Sequence, residues 1–208
     1  MWIKANTNLG VPVAVDYLEG QIMDAKNRPE AVRNVMTKNV NLWVDAEKTW
    51  ILDDVWMQCV GTTDPASLRG CDCWGGLDLS NVGDVTAYVL LLHENGKFQL
   101  LPMFWIPEAK MQEKIRKENI NYDHWIAEGF VKVTEGNVID YDFVKADILK
   151  TVAEYNLKSS AYDRWNSSQT IIDLSNEGMD FNPFGQGFAS MSAPTKQFEA
   201  LVLRGEIE

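Results

Sequence analysis

The segment GGLDLSNVGDVTAYVLLL, residues 75–92, constrains the fold more than any other stretch of the chain. It reads as an apolar strand ending in Asp78, a turn carrying Asp84, and a second strand, VTAYVLLL, that is apolar on both faces. A strand of that kind needs cover on both sides and belongs inside a sheet. Carboxylates placed where a strand leaves the core are held rigidly while facing solvent, a placement suited to hard divalent cations and to phosphodiester hydrolysis assisted by them. A second strand ending, SAYDRW at residues 160–165, offers Asp163 as a partner. The two acids lie so far apart in sequence that only the fold can bring them together.

At 208 residues, 46% hydrophobic and 24% charged, the chain has enough material for one substantial core. It contains no run of about 18 apolar residues, so no membrane span is expected. Its opening, MWIKANTNLG, lacks the basic start and apolar stretch of a signal peptide, which makes an intracellular location the expectation. The three cysteines, Cys59, Cys71 and Cys73, read as reduced thiols. A zinc site on Cys71 and Cys73 would need two more ligands, and His93 and His124 are isolated. Neither histidine sits in a nucleophile context. The net charge of −11 argues against a surface that coats nucleic acid. It is compatible with an acidic metal site whose grip on DNA comes from a basic region or a partner.

Residues 1–70 read as a small helical piece plus a linker. Helical spacing is present over Pro12–Lys26 at Val13, Tyr17 and Ile22, Pro29 opens a second helix through Lys38, and Asp53 and Asp54 start a short one over Val55–Val60. Residues 39–52, with Trp43 and Trp50, have no sustained period. The turn formers of GTTDPASLRG, residues 61–70, mark the boundary. From Cys71 onward the pattern is mixed α/β. Strands over 72–79, 85–93 and 97–105, the last two joined at Asn95-Gly96, form an antiparallel meander. Helices follow over 107–118 and 122–128. A helix over Tyr141–Tyr155 is capped by Asp140, with Val144, Ile148, Val152 and Tyr155 on one stripe. The strand Leu157–Tyr162 delivers Asp163, followed by a helix over 167–176, a strand near 180–184 and a last helix over about 193–204. Three antiparallel strands followed by alternating helix and strand is the order of an RNase H-like mixed sheet flanked by helices, though the order alone leaves other α/β folds open.

Six segments in register resemble the large terminase subunit of tailed bacteriophages, chiefly its nuclease domain. They are WIKANTNLG at 2–10, W-GGLDLSNVGDVTA at 74–87, FWIPE at 104–108, HWIAEGFVKVTEGNVIDYD at 124–142, SAYDRWNSSQ at 160–169 and FGQGFASMSAPTKQFEALVLRGEI at 184–207. The resemblance implies a viral DNA-packaging motor, with an N-terminal ATPase and a C-terminal RNase H-like endonuclease that cuts concatemeric double-stranded genomes in the cytoplasm of an infected bacterium. It makes residues 1–70 the tail of the ATPase region with its linker, and 71–208 the nuclease. Expected partners are the rest of the ATPase region, the small terminase subunit and the portal, with no membrane partner. No G-x-x-x-x-G-K-[ST] loop occurs, so no ATP site is expected in this chain. The family draws a further aspartate from beyond the position of Glu208, which makes this chain an expected internal fragment. Two other readings stay open: another RNase H-like enzyme such as a resolvase or transposase, and a non-catalytic prophage remnant or interaction module keeping the fold.

Asp78 matches the family's first metal ligand and Asp163 is its expected partner, the two holding two Mg²⁺ or Mn²⁺ ions. Asp84 either caps its turn or joins the metal shell. Asp140 and Asp142 read as helix N-terminal acids. Trp74 and Trp165 flank the acids, whereas Trp105 and Trp125 lie within elements and are expected to pack. Arg164, Lys196 and Arg204 are candidate DNA-phosphate contacts, a solvated helix face being the alternative for the last two.

Overall fold

The computed structural model describes residues 5–6, 9–11, 13–27, 29–41, 50–61, 63–80, 84–118, 120–163 and 168–208. The chain divides into two compact units, Met1–Leu52 and Asp53–Glu208. In the first, α1 (Val15–Asn27) and α2 (Pro29–Asn34) are followed by a π-helical turn, Val35–Asn39. Leu18 and Val35 are buried among its described residues, while Tyr17, on the expected stripe, is exposed. Trp43 lies outside the described residues.

The second unit begins before the linker expected from its turn formers. A helix, α3 (Asp53–Met57), and a 3-10 turn, Pro65–Leu68, precede the sheet. Asp64 caps that turn by accepting from the Ala66 N–H at 3.0 Å. Leu68 is buried in the main core, and the Gly70 N–H donates to the Glu154 carbonyl at 2.8 Å, so this stretch is part of the fold.

Six strands form one mixed sheet in the order β4-β3-β2-β1-β5-β6. The meander comprises β1 (Asp72–Asp78), β2 (Thr86–Glu94) and β3 (Lys97–Pro107). Asn95 at φ 52° and Gly96 at φ 80° make the β2–β3 turn, as Asn-Gly does when both central residues are left-handed. Two helices, α4 (Glu108–Glu118) and α5 (Tyr122–Ala127), lead to β4 (Val131–Thr134), parallel to β3. Next come α6 (Tyr141–Val152), β5 (Asn156–Asp163) and α7 (Ser168–Asn176). The chain ends with β6 (Phe181–Phe184) and α8 (Phe188–Leu203). The parallel pairings β1–β5 and β5–β6 complete the sheet.

Alternation along β2 sets its two faces apart. Tyr88, Leu90 and Leu92 are fully buried in one core with Val144 and Ile148 of α6 and Leu174 of α7, and Thr86 on the same face is also fully buried. The other face of β2 is less completely covered than the apolar sequence implied. Val89 and Leu91 are only half-buried and, with Leu100, Pro102, Phe104 and Trp56, border a cavity system whose largest part is about 620 Å³. A smaller cluster of Ile106, Tyr122 and Val131 receives Met111 and Ile115 of α4.

Candidate metal centre

Asp78 and Asp163 end adjacent parallel strands. Gly76 pairs with Ala161 and Leu77 with Tyr162, so the two acids are the next residues of each strand. Neighbouring strands lie about 4.8 Å apart, and residues two positions on share a face. The pair therefore shares the less covered face with Gly76 and Ala161. Both acids line one surface cavity of about 220 Å³ with Gly76, Ala87, Ala161 and Gln186. The small residues have a purpose in this placement: Gly76, Ala87 and Ala161 surround the acids without filling the space above them.

Burial disfavours the charged form of Asp78 and raises its pKa, and the negative charges of Asp163 and then Asp84 push it further in the same direction. Two carboxylates set side by side with a third acid within electrostatic reach are poised for a cation. All the donors are hard oxygens, which suits Mg²⁺ or Mn²⁺ and leaves the thiols aside. Cys59, Cys71 and Cys73 are free, and burial drives the Cys73 thiol up to about 11. Among the described residues, no group of three or more Asp, Glu, His or Cys side chains is gathered to enclose an ion. What the sheet presents is an open pair.

The third acid has its own attachments. Asp84 Oδ1 accepts from the N–H of the next residue, Val85, at 3.1 Å and from Lys114 Nζ on α4 at 3.3 Å. The loop that carries it is pinned where it leaves β1. The Ser80 N–H donates to Thr86 Oγ1 at 3.2 Å, and the Tyr141 hydroxyl donates to the Ser80 carbonyl. Residues 81–83 are outside the described set.

The candidate phosphate contacts divide. Arg164, like Trp165, falls outside the described residues. Lys196 is exposed midway along α8. Arg204 is not near the acids: its guanidinium pairs with Glu206 at 2.9 Å, beside the bridge between Ile207 and Phe98. Phe98 lies near the start of β3, whereas the acids lie level with Phe104, because Asp78 faces Ala87 and Ala87 faces Phe104. Six residues of strand separate the two levels, about 20 Å. The physical reason is the length of α8, which starts at the carboxylate end and carries its last turn to the opposite one. Asp140 is a helix cap as expected, accepting from the Asp142 and Phe143 N–H groups at 2.9 and 3.1 Å. Trp74 is exposed on the cavity-bearing face; Trp105 is fully buried and Trp125 half-exposed.

Sequence reasoning did not single out Gln186, Met191 or Lys114. The first two reach the site because the turn after β6 sits beside the end of β5, where Asp163 pairs with Phe184. The glycines flanking Gln186 were the available signal. Lys114 carried none, since its role depends on where α4 lies.

A mixed sheet of this order, with acids at the ends of β1 and β5, is an RNase H-like domain. The whole chain, residues 1–208, matches the family model "Terminase large subunit, endonuclease domain", and the chain belongs to that family. It is 31% identical over 209 residues to the large terminase subunit of Enterobacteria phage HK97, covering 99% of this chain and 41% of that protein. It is 26% identical over 214 residues to Protein YmfN of Escherichia coli K12, covering 97% and 47% respectively. The crystal structure of the HK97 large terminase superposes with a TM-score of 0.70 at 30% identity, covering all of this chain and 43% of that one. The chain thus spans less than half the length of these relatives. No helix among the described residues is long and apolar enough to cross a membrane.

Proposed function

We propose that this chain carries a divalent-metal-dependent endonuclease centre built on Asp78 and Asp163, with Asp84 as an auxiliary acid, and that its substrate is double-stranded viral DNA. The observation that carries the reading is the convergence of the two carboxylates at neighbouring strand ends, over a floor of Gly76, Ala87 and Ala161. Asp78 and Asp163 supply hard oxygen donors whose spacing is fixed by the β1–β5 ladder. Mg²⁺ characteristically takes one or two carboxylates and completes its shell with water and substrate phosphates, so an open pair fits it. A pair of such cations, when bound, acidifies water and neutralises charge building on the attacking and leaving oxygens. Burial and the neighbouring charges of Asp163 and Asp84 both raise the Asp78 pKa, and a cation would relieve the part due to the charges. Lys114 holds Asp84 at the rim, and the small floor residues admit the sugar-phosphate backbone close to the acids.

In the whole protein, this domain would cut concatemeric genomes at the start and end of packaging. It would work with an ATPase region, a small terminase subunit and a portal in the host cytoplasm. The membership of the endonuclease-domain family supports that assignment. Supercoiled plasmid incubated with Mg²⁺ or Mn²⁺ tests the chemistry. Nicking and linearisation by the wild type, abolished in folded Asp78→Asn and Asp163→Asn proteins and by EDTA, supports the reading. Cleavage unchanged in either variant contradicts the site. A wild type with neither cleavage nor Mn²⁺ binding fits a non-catalytic remnant of the fold.

A further inference from the structure

The structure places a row of cations beside the carboxylate centre. α4 begins where β3 ends, and that end of β3 pairs with the start of β2 at Thr86 and Trp105, level with Asp78. The helix thus begins at the carboxylate end of the sheet. Met111 and Ile115 turn inward to the smaller core. At 100° per residue, Lys110, Lys114 and Lys117 then occupy a single flank next to that inward stripe. Its direction is fixed by a contact: Lys114 reaches Asp84 in the loop leaving β1. Lys110 and Lys117 extend the row to either side, with side chains 34% and 71% exposed.

We infer that this flank of α4 is a binding surface for the phosphate backbone of duplex DNA, tracking the strand next to the one presented to Asp78 and Asp163. The inference rests on the function proposed above and adds where the substrate is held. Charge complementarity is its basis. The chain has a net charge of −11, so a duplex approaching it is repelled over most of the surface. A row of three lysines whose middle member touches Asp84 gives the DNA a local reason to approach there.

The same flank contains an internal competitor. Glu113 Oε2 accepts from Lys110 at 3.1 Å and Oε1 from Lys117 at 2.7 Å. Those two ammonium groups hold the Glu113 carboxyl down at about 2. Glu113 occupies both lysines in the absence of DNA, and phosphates must displace it. This makes the surface testable in two opposite directions.

The test uses fluorescence anisotropy of a short fluorescein-labelled blunt duplex, titrated over a range of salt in EDTA. An Asp78→Asn background prevents cutting without touching α4. Lys110→Gln/Lys117→Gln, which leaves the Lys114–Asp84 pair in place, should bind several-fold more weakly. Its slope of log affinity against log salt should be shallower by about 2, since each phosphate contact contributes roughly 0.9. Glu113→Gln should bind more tightly than the parent, an effect no loss of folding can produce. A control pair removing the same charge far from the acids, Lys150→Gln/Lys158→Gln, should keep the parent slope. Equal affinity and slope for the Lys110/Lys117 variant and its parent, or weaker binding by Glu113→Gln, overturns the inference. Metal-dependent cleavage lost with Asp78→Asn would leave the proposed function standing in that event. A parent that binds no duplex at low salt overturns the surface, and plasmid cleavage by the wild type then judges the function separately.

Discussion

The Tyr88 hydroxyl and Ser160 Oγ lie 2.7 Å apart inside the core, on β2 and β5, joined across the intervening strand at Gly75. Ser160 is 1% exposed and Tyr88 fully buried. Each satisfies the other's hydroxyl where water has no access, and burial drives the Tyr88 phenol up to about 12. The bond passes over Gly75 because any larger residue there would block it. A Cβ on Gly75 would overlap both the Tyr88 hydroxyl and Ser160 Oγ. This clamp sits three residues before Asp78 on β1 and three before Asp163 on β5, and it fixes the register on which their meeting depends.

Gly75→Ala should therefore cost about 3 kcal/mol of stability, at the upper end for overpacking a core without room to relax. Urea unfolding measures it. Removing the two oxygens in a Tyr88→Phe/Ser160→Ala background should recover part of the loss, because the Tyr88 ring carbon nearest Gly75 remains. A Gly75→Ala protein as stable as the wild type would contradict the account of the clamp.

Asp78 sets a pH dependence of definite sign. Its folded pKa is raised, so the fold disfavours the ionised carboxylate. That penalty is absent below the ordinary carboxylate value and grows as pH rises through the raised one. Without divalent metal, Asp78→Asn should be more stable than the wild type at neutral pH, and the gap should close on acidification. Melting curves across the acid range check this. A variant less stable than the wild type at neutral pH would mean that the carboxylate is compensated in the free protein.

Asp147 ties α6 to the sheet. Its Oδ2 accepts from the fully buried Trp105 indole at 3.0 Å, and Lys132 on β4 bonds both oxygens at 2.7 and 2.6 Å. Asp147→Leu leaves the indole N–H without an acceptor and should cost about 2 kcal/mol. The unfolding transition followed by tryptophan emission reports it. No change in the midpoint would contradict the role assigned to this acid.

Much of this architecture was legible in the sequence because the relevant signals are local. Strand alternation with Asn95-Gly96, the Asp140 cap, and the stripe of Val144 and Ile148 each report on a few neighbouring residues. β4 was not read, since four residues between Gly129 and Gly136 carry no measurable period. α8 starts at Phe188, earlier than the expected start near 193. The Gly187 carbonyl accepts from the Ser190 and Met191 N–H groups, and the helix runs through Pro194. At the site, strand ends with acids were visible, whereas their shared face follows from the β1–β5 register. Lys114 beside Asp84 and Arg204 far from the acids were equally invisible, because both depend on where a helix ends up in space.

Anomalous diffraction from crystals of this chain soaked in Mn²⁺ shows whether the two strand-end carboxylates hold a cation. A manganese peak is expected between the carboxylates of Asp78 and Asp163, lost in Asp78→Asn crystals soaked in the same way. Manganese bound elsewhere on the chain, with none at those two side chains, would contradict that site.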